Sequence, residues 1–419
     1  MSKIKVDQIE SVDGVADITL NNDLAALTVT GTSTLTGNVT ASGNVTASGD
    51  VTMSSMNGGQ LAGRRNLIIN GAMNVWQRGT SGTLAATNNY LVDRFHGSRL
   101  GGLADIFDAS QVTDVPTGQG FKYSYKITQD GTSTTLSGTN AAMFGYRPEG
   151  QDWYHLGWGT ANAKSITVQF WVKSSITGTF AFTIASNNSD QDIAKEYTID
   201  SANTWEKKTF TIPGPTSGTW TSDNSAFGYI TWGWCGVLGS ARETTNIDSW
   251  GAGSGGSSVT VTANSTNALA TTSGATWQIT GIQIESGSVA TPFENRSYGE
   301  EISLCQRYYS TVGFPTYSTF ATGQFTYNPA TSMGTTLLAQ TPGGQMRVTP
   351  TMTFDQSASD FYAKDTTGGT KTLTGLILRG YSGGGTCQLQ ATSASSFGND
   401  DQNLNVSGTG ASFQFDSEL

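Results

Sequence analysis

The chain has 419 residues, enough for two or three domains, and a formal net charge of −10. Charged residues make up only 13%, and no basic run is longer than a pair such as Arg64-Arg65, which argues against a nucleic-acid ligand because phosphate contacts need a basic face. Aromatics at 10% argue against disorder, and 52 glycines among abundant Thr and Ser point to strands joined by tight turns, an all-β chain.

The opening MSKIKVDQIESVDG has no apolar h-region, so a signal peptide is not expected. Residues 1–26 read as a polar leader with β-like alternation at Ile4, Val6, Ile18 and Leu20. From Leu27 a six-residue repeat follows: LTVTGT, STLTGN, VTASGN, VTASGD, VTMSS. Thr28, Thr34, Thr40, Thr46 and Thr52 keep one register and Gly31, Gly37, Gly43 and Gly49 another. Each unit is a short strand ending in a Gly-containing turn. The apolar stripe of Val29, Leu35, Val39, Val45 and Val51 is too thin to form a core alone, so it predicts packing on identical neighbours. A single-chain β-helix needs more coils than these hexads supply, and a flexible linker needs no fixed Thr column. Residues 27–56 therefore read as an intertwined, trimeric β stalk.

Residues 57–296 form a long β-rich block, with segments such as FKYSYKI (121–127), SITVQFWVKS (165–174), GTFAFTIAS (178–186), WEKKTFTI (205–212), SSVTVTA (257–263) and ATWQITGIQIESG (275–287). Alternation is clean at Ile166, Val168, Phe170, Val172 and at Phe180, Phe182, Ile184, which predicts an antiparallel sandwich without helices. The most apolar stretch, FGYITWGWCGVLG at 227–239, is too short and too Gly-rich to span a bilayer. Ser297 with Glu300 matches a capping box, and Tyr298, Ile302, Cys305 and Tyr309 follow near-helical spacing, so 297–310 reads as a short linker helix. Residues 311–419 return to strands and Gly-rich turns and read as a small C-terminal β knob.

Cys235, Cys305 and Cys387 lie far apart without a CxxC pair, so neither a zinc site nor a disulfide framework is indicated. His96 and His155 are the only histidines, and no HExxH or GxSxG motif occurs. A sugar ring stacks on a flat aromatic while its hydroxyls bond to amides or carboxylates. Two clusters supply those groups. One is Tyr146, Asp152, Trp153, Tyr154, His155 and Trp158 in a loop-like stretch; the other is Trp232 and Trp234 on one strand, preceded by Trp220, Asp223 and Asn224. Core packing is the competing explanation for each tryptophan.

The stretch Asn66-Leu-Ile-Ile-Asn-Gly-Ala-Met-Asn-Val-Trp-Gln-Arg-Gly-Thr80, with Tyr90 and Asp93-Arg94-Phe95, resembles the opening of a jelly-roll domain found in tail fibres of tailed bacteriophages. Trp277 to Glu285 with Thr291-Pro-Phe-Glu294 is similar to the end of that domain, and Glu300 through Tyr309 to the linker after it. Met346 to Pro350 resembles a strand of the C-terminal fibre domain, and KIKVDQI with TLNNDL resembles virion-attaching N-termini. The resemblance implies a homotrimeric, non-enzymatic, receptor-binding tail fibre on the virion. Its N-terminus would hold tail or adaptor/nozzle proteins, and its jelly roll would bind a bacterial surface glycan or outer-membrane receptor. Related carbohydrate-binding modules often carry a structural calcium near the terminal strands, where this chain has Met73 and Asn74 instead of an acidic residue. Two rival readings remain open: a polysaccharide depolymerase, which would need only two suitably spaced carboxylates, and a virion adaptor that never touches the host.

Overall fold

Alternating apolar residues pair into sheets when one side of each strand can be buried. The computed structural model describes residues 64–313, except 85–88, 104, 131–139, 236–242, 254–261 and 267, and beyond them the strands named below with 346–348, 350 and 417–418. The leader and the hexads, with Val29, Leu35, Val39, Val45 and Val51, lie outside the described residues, as does most of SSVTVTA. The described strands of the first β block are β1 (Ser81–Thr83), β2 (Phe95–Leu100), β3 (Phe107–Val112), β4 (Ser124–Gln129), β5 (Ala141–Tyr146), β6 (Ile166–Ser174), β7 (Gly178–Ser186), β8 (Gln191–Ile199), β9 (Glu206–Ile212), β10 (Gly228–Cys235), β11 (Gly251–Ala252) and β12 (Thr276–Ser286). They form two six-stranded sheets, ordered β1-β3-β4-β12-β6-β9 and β11-β8-β7-β10-β5-β2, in which neighbours run antiparallel. This is a jelly-roll-type sandwich.

The inner faces carry the predicted alternation. Ile166, Val168, Phe170 and Val172 of β6 and Phe180, Phe182 and Ile184 of β7 are all buried in one core. Phe144 of β5 sits at the centre, 4.8 Å from Phe95, 4.5 Å from Tyr125, 5.9 Å from Trp232 and 6.1 Å from Trp277. Each such ring contributes about 1.5–3 kcal/mol by leaving water. One-turn helices interrupt the strands at Gly150–Trp153 (α1) and Ala268–Thr271 (α2), against the expectation of none.

The opening and closing motifs meet. Leu67 N–H donates to the Ile284 carbonyl at 2.8 Å, and Ile282 N–H to the Gly71 carbonyl at 2.9 Å. Asn66 Oδ1 accepts from Ile68 N–H at 3.0 Å and Ile284 N–H at 3.1 Å, while its amide donates to the Ile282 carbonyl. The 64–71 segment thus lies along β12, closing the sandwich with residues up to 218 positions apart. Asn70, at φ 62°, uses all its side-chain capacity: its amide donates to the Val75 and Asp93 carbonyls and its oxygen accepts from Asn74 and Val75 N–H. Asparagine tolerates this left-handed conformation because its side chain bonds locally.

A helix α3 (Tyr298–Gln306) follows, with Ser297 Oγ accepting the Glu300 N–H at 3.2 Å as the capping box requires. Cys305 is buried, but Tyr298 is 61% exposed and Tyr309 belongs to the next strand, so the helix is shorter than the sequence spacing implied. The C-terminal strands are β13 (Tyr309–Gly313), β14 (Thr319–Thr322), β15 (Met333–Leu338), β16 (Thr351–Phe354), β17 (Phe361–Asp365), β18 (Thr370–Tyr381), β19 (Cys387–Ser393), β20 (Asp401–Val406) and β21 (Ser412–Asp416). They form a three-stranded sheet β13-β21-β16 and a six-stranded sheet β14-β20-β17-β18-β19-β15. Among the described residues no helix is long and apolar enough to cross a membrane.

Candidate functional site

The stretch after β5 is clamped rather than loop-like. Gly150 N–H donates to the Ser225 carbonyl at 2.9 Å, Gln151 N–H to the Asp223 carbonyl at 2.8 Å, and Phe227 N–H to the Pro148 carbonyl at 2.8 Å. A Cβ on Gly150 would press on Thr221 and the Asp223 carbonyl, so glycine permits this approach. α1 and the 3-10 turn Tyr154–Leu156 then roll the chain so that every third residue, Gly150, Trp153 and Leu156, is buried, while Gln151, Asp152 and Tyr154 face solvent.

That roll sorts the predicted glycan-binding residues. Trp153 (1% exposed), Trp158 (5%), Tyr146 (2%) and Trp232 (0%) are core residues and offer no face to a sugar. Trp153 packs at 5.8 Å and Trp158 at 5.6 Å on Phe227, and Trp158 packs at 4.9 Å on Trp220 and 5.4 Å on Trp250. Trp153 and Trp158 of the first cluster thus join Trp220 of the second, with Phe227 and Trp250, in one aromatic wall, while Trp232 packs on Phe144 in the central core. Within that wall the Trp158 indole N–H donates to the Lys164 carbonyl, that of Trp220 to Ser217 and that of Trp250 to Pro213. Tyr146 supports a different structure. Its hydroxyl accepts the Ile69 N–H at 3.2 Å, and its ring lies 5.1 Å from the buried Arg94 guanidinium. Trp234 lies on β10, and its side chain is outside the described residues.

Asp152, Tyr154 and His155 remain on the surface. Tyr154 is 61% exposed, Asp152 is exposed and His155 half-buried. Asp152 and His155 line a cleft of about 250 Å³ with Arg64, Asn66, Leu67, Ile69, Arg296 and Leu304. The cleft lies where the turn after β5, the opening segment and α3 converge. Loss of water around the Asp152 carboxyl, and then the Glu149 carboxylate, raises its pKa; Arg307, Arg94 and Arg64 oppose the rise. Burial lowers the pKa of His155, which favours the neutral imidazole. Its Nε2 atom is shielded from water and has no hydrogen-bond partner among the described residues. Arg296 is already committed, donating to the Ile68 carbonyl at 2.9 Å and to the Asn66 carbonyl. Sequence reasoning missed Arg64, Asn66, Arg296 and Leu304, although the first three stand within or beside the opening and closing motifs. A cleft of this size is below the roughly 300–1,000 Å³ of sites that engulf a drug-sized ligand, and suits a terminal sugar or short branch.

The terminal strands do not fit a calcium ion. Glu285 accepts from Thr291 N–H at 2.8 Å, Thr291 Oγ1 at 2.7 Å and Gln283 Nε2 at 3.0 Å. Glu294 Oε2 accepts from Arg65 N–H at 2.9 Å and Asn66 N–H at 2.6 Å. Donors point at the oxygens a hard cation would need. No group of three or more His, Cys, Asp or Glu residues placed to hold a metal occurs among the described residues.

No family model matches the chain, and no curated protein is similar to it by sequence. Three solved structures illustrate what the fold is similar to. The enzymatically active domain of tailspike protein 4 of bacteriophage CBA120 is 14% identical with TM-score 0.28, over 53% of this chain and 21% of that one. A CBM4 structure is 15% identical with TM-score 0.25, over 52% of this chain and 97% of that one. The family 11 carbohydrate-binding module from Clostridium thermocellum, in complex with a β-1,3-1,4-mixed-linked tetrasaccharide, is 16% identical with TM-score 0.22, over 51% of this chain and 98% of that one. At this identity and overlap, the fold rests on the strand order above and the function on the chemistry of the site.

Proposed function

We propose that this chain is a bacteriophage tail fibre, a virion component that binds a bacterial surface glycan during adsorption without cleaving it. The observation that carries the glycan reading is the cleft lined by Asp152 and His155, with the exposed ring of Tyr154 between them in sequence. Those are the groups a sugar needs: a flat apolar face, an acceptor and a second polar partner. The tail-fibre reading rests on the ordered motifs of the opening, closing and linker segments. In it, residues 1–26 attach to the tail or an adaptor, 27–56 form the trimeric stalk, 57–296 bind the host, 297–310 link and 311–419 form the knob. Three copies of a weak site gain avidity through effective concentration.

The test is binding of purified full-length protein to candidate host cells and their extracted surface glycans. Tyr154→Ala and Asp152→Asn change exposed groups and leave the core intact, so each should weaken binding about tenfold or more with unchanged thermal unfolding. Wild-type affinity in both variants would remove the cleft from the reading. Release of new reducing ends from the glycan would replace the fibre by a depolymerase.

A further inference from the structure

We propose that the outer face of the β1-β3-β4-β12-β6-β9 sheet is a second binding surface, one that takes an anionic saccharide. The inward set on β6 leaves Thr167, Gln169, Trp171 and Lys173 on the outer face. At one end that face is closed: Thr167 Oγ1 donates to the Gly287 carbonyl at 2.8 Å and Gln169 Nε2 to the Thr291 carbonyl at 2.6 Å, and both residues are buried. At the other end Trp171 and Lys173 are part-exposed.

The ladder brings cations and rings together there. Trp171 lies opposite Lys207 on β9, and Lys173 opposite Gln278 on β12, which in turn faces Lys126 on β4. Trp205, next to the start of β9, is fixed to the same place by Asp114. The Trp205 indole N–H donates to Asp114 Oδ1 at 3.0 Å and Lys173 Nζ to Asp114 Oδ2 at 2.7 Å. Neither ring belongs to the buried core. Trp76, Trp153, Trp158, Trp220, Trp232, Trp250 and Trp277 each pack against another aromatic ring, whereas Trp171 and Trp205 meet none among the described residues.

Three lysines against the single carboxylate of Asp114, beside two part-exposed indoles, reverse the sign of a chain whose net charge is −10. An indole face stacks on the C–H face of a sugar ring, and an ammonium pairs with a carboxylate, sulfate or phosphate on the same sugar. Lys173 already has Asp114, but a neutral glycan would leave Lys126 and Lys207 without an anionic partner among the described residues. A nucleic acid, with a charge every few ångströms, would be repelled by the acidic remainder of the molecule. A polysaccharide with about one charge per sugar, separated by neutral ring faces, matches the sparse lysines and the flat indoles. This surface shares no residue with the Tyr154 cleft and stands or falls separately from it.

The test is affinity electrophoresis of the full-length protein in gels containing polygalacturonate, alginate, hyaluronan or neutral dextran, with single-stranded DNA as a polyanion control. We expect retardation by at least one of the three anionic polysaccharides, weakened about tenfold or more in the Trp171→Ala/Trp205→Ala double variant. Lys207→Gln should retain part of the binding and show a shallower salt dependence. Tyr154→Ala should bind these probes as the wild type does, which separates this surface from the cleft. Failure of the wild type to bind any of the three, wild-type retardation of the double variant, or equal retardation by dextran or DNA would overturn the proposal. So would a change in oligomeric state of the double variant, since the face would then be a contact between copies.

Discussion

His96 carries a pH dependence that its sequence position does not announce. It is 3% exposed, with Nδ1 3.0 Å from Ser98 Oγ. Burial, then the positive charges of Arg147 and Arg94, push its pKa down from 6.5 to about 3. Above pH 6.5 both folded and unfolded chains hold it neutral and it contributes no slope. Between 6.5 and about 3 the unfolded chain binds a proton that the folded chain refuses, so stability falls as the solution is acidified. The slope approaches about 1.4 kcal/mol per pH unit. Urea unfolding across this range should give a slope smaller by up to that amount in His96→Gln; an identical slope would show that His96 titrates normally. Glu149 illustrates the same scale. It is buried yet accepts from Arg307 Nε and Nη2 at 3.0 and 2.6 Å, from the Tyr308 hydroxyl at 2.7 Å and from the Gln151 amide at 2.6 Å. Four donors offset the cost of burying its charge, and they tie the turn after β5 to the residues following α3.

Among the elements, the contact of the opening segment with β12 has the least tolerance. A Cβ on Gly71 would overlap the Ile282 carbonyl oxygen, a backbone atom that cannot rotate away. Gly71→Ala should therefore separate the two segments at a cost of about 1–3 kcal/mol. Hydrogen exchange reads this directly: the Leu67 and Ile282 amides, which donate across the junction, should lose protection while those in β7 keep theirs. Retained protection at Leu67 and Ile282 would mean that the segment shifts without opening. Because the segment also lines the Tyr154 cleft through Asn66, Leu67 and Ile69, the same variant should weaken glycan binding.

At the scale of the whole molecule, the jelly roll and the chain's C-terminal end share a buried ionic hub. Arg94 pairs with Glu418, donates to the Arg147 carbonyl at 2.7 Å and stacks 3.4 Å from the Tyr308 ring. Arg78 stacks 3.6 Å from Tyr309 and reaches Asp416 at 3.1 Å. Arg94 of the opening motif thus anchors the segment just after β21, the Arg94–Glu418 separation being 324. The proposed trimer adds a further level. Light scattering should give three times the mass of one chain, falling to a single chain when residues 27–56 are deleted. A single-chain mass for the intact protein would remove the stalk from the reading.

Local periodicity alone determined much of the sandwich. β7 matches GTFAFTIAS at both ends, and β6, β9 and β12 match their segments to within a residue, because the period of two records which side chains leave water. The cap at Ser297 was equally legible, since it depends on residues three apart. That the opening and closing motifs meet is shown only by the hydrogen bonds between them, because they lie more than two hundred residues apart. Only the tertiary structure decided which aromatics are available. β5 is buried on both faces, so no alternation marks Tyr146, and the roll at α1 turns Trp153 and Trp158 inward while leaving Tyr154 out. The cleft and the outer-face tryptophans likewise depend on neighbours brought from distant strands. Sequence fixes which face of a strand a residue takes; whether that face meets water depends on what the rest of the chain lays over it.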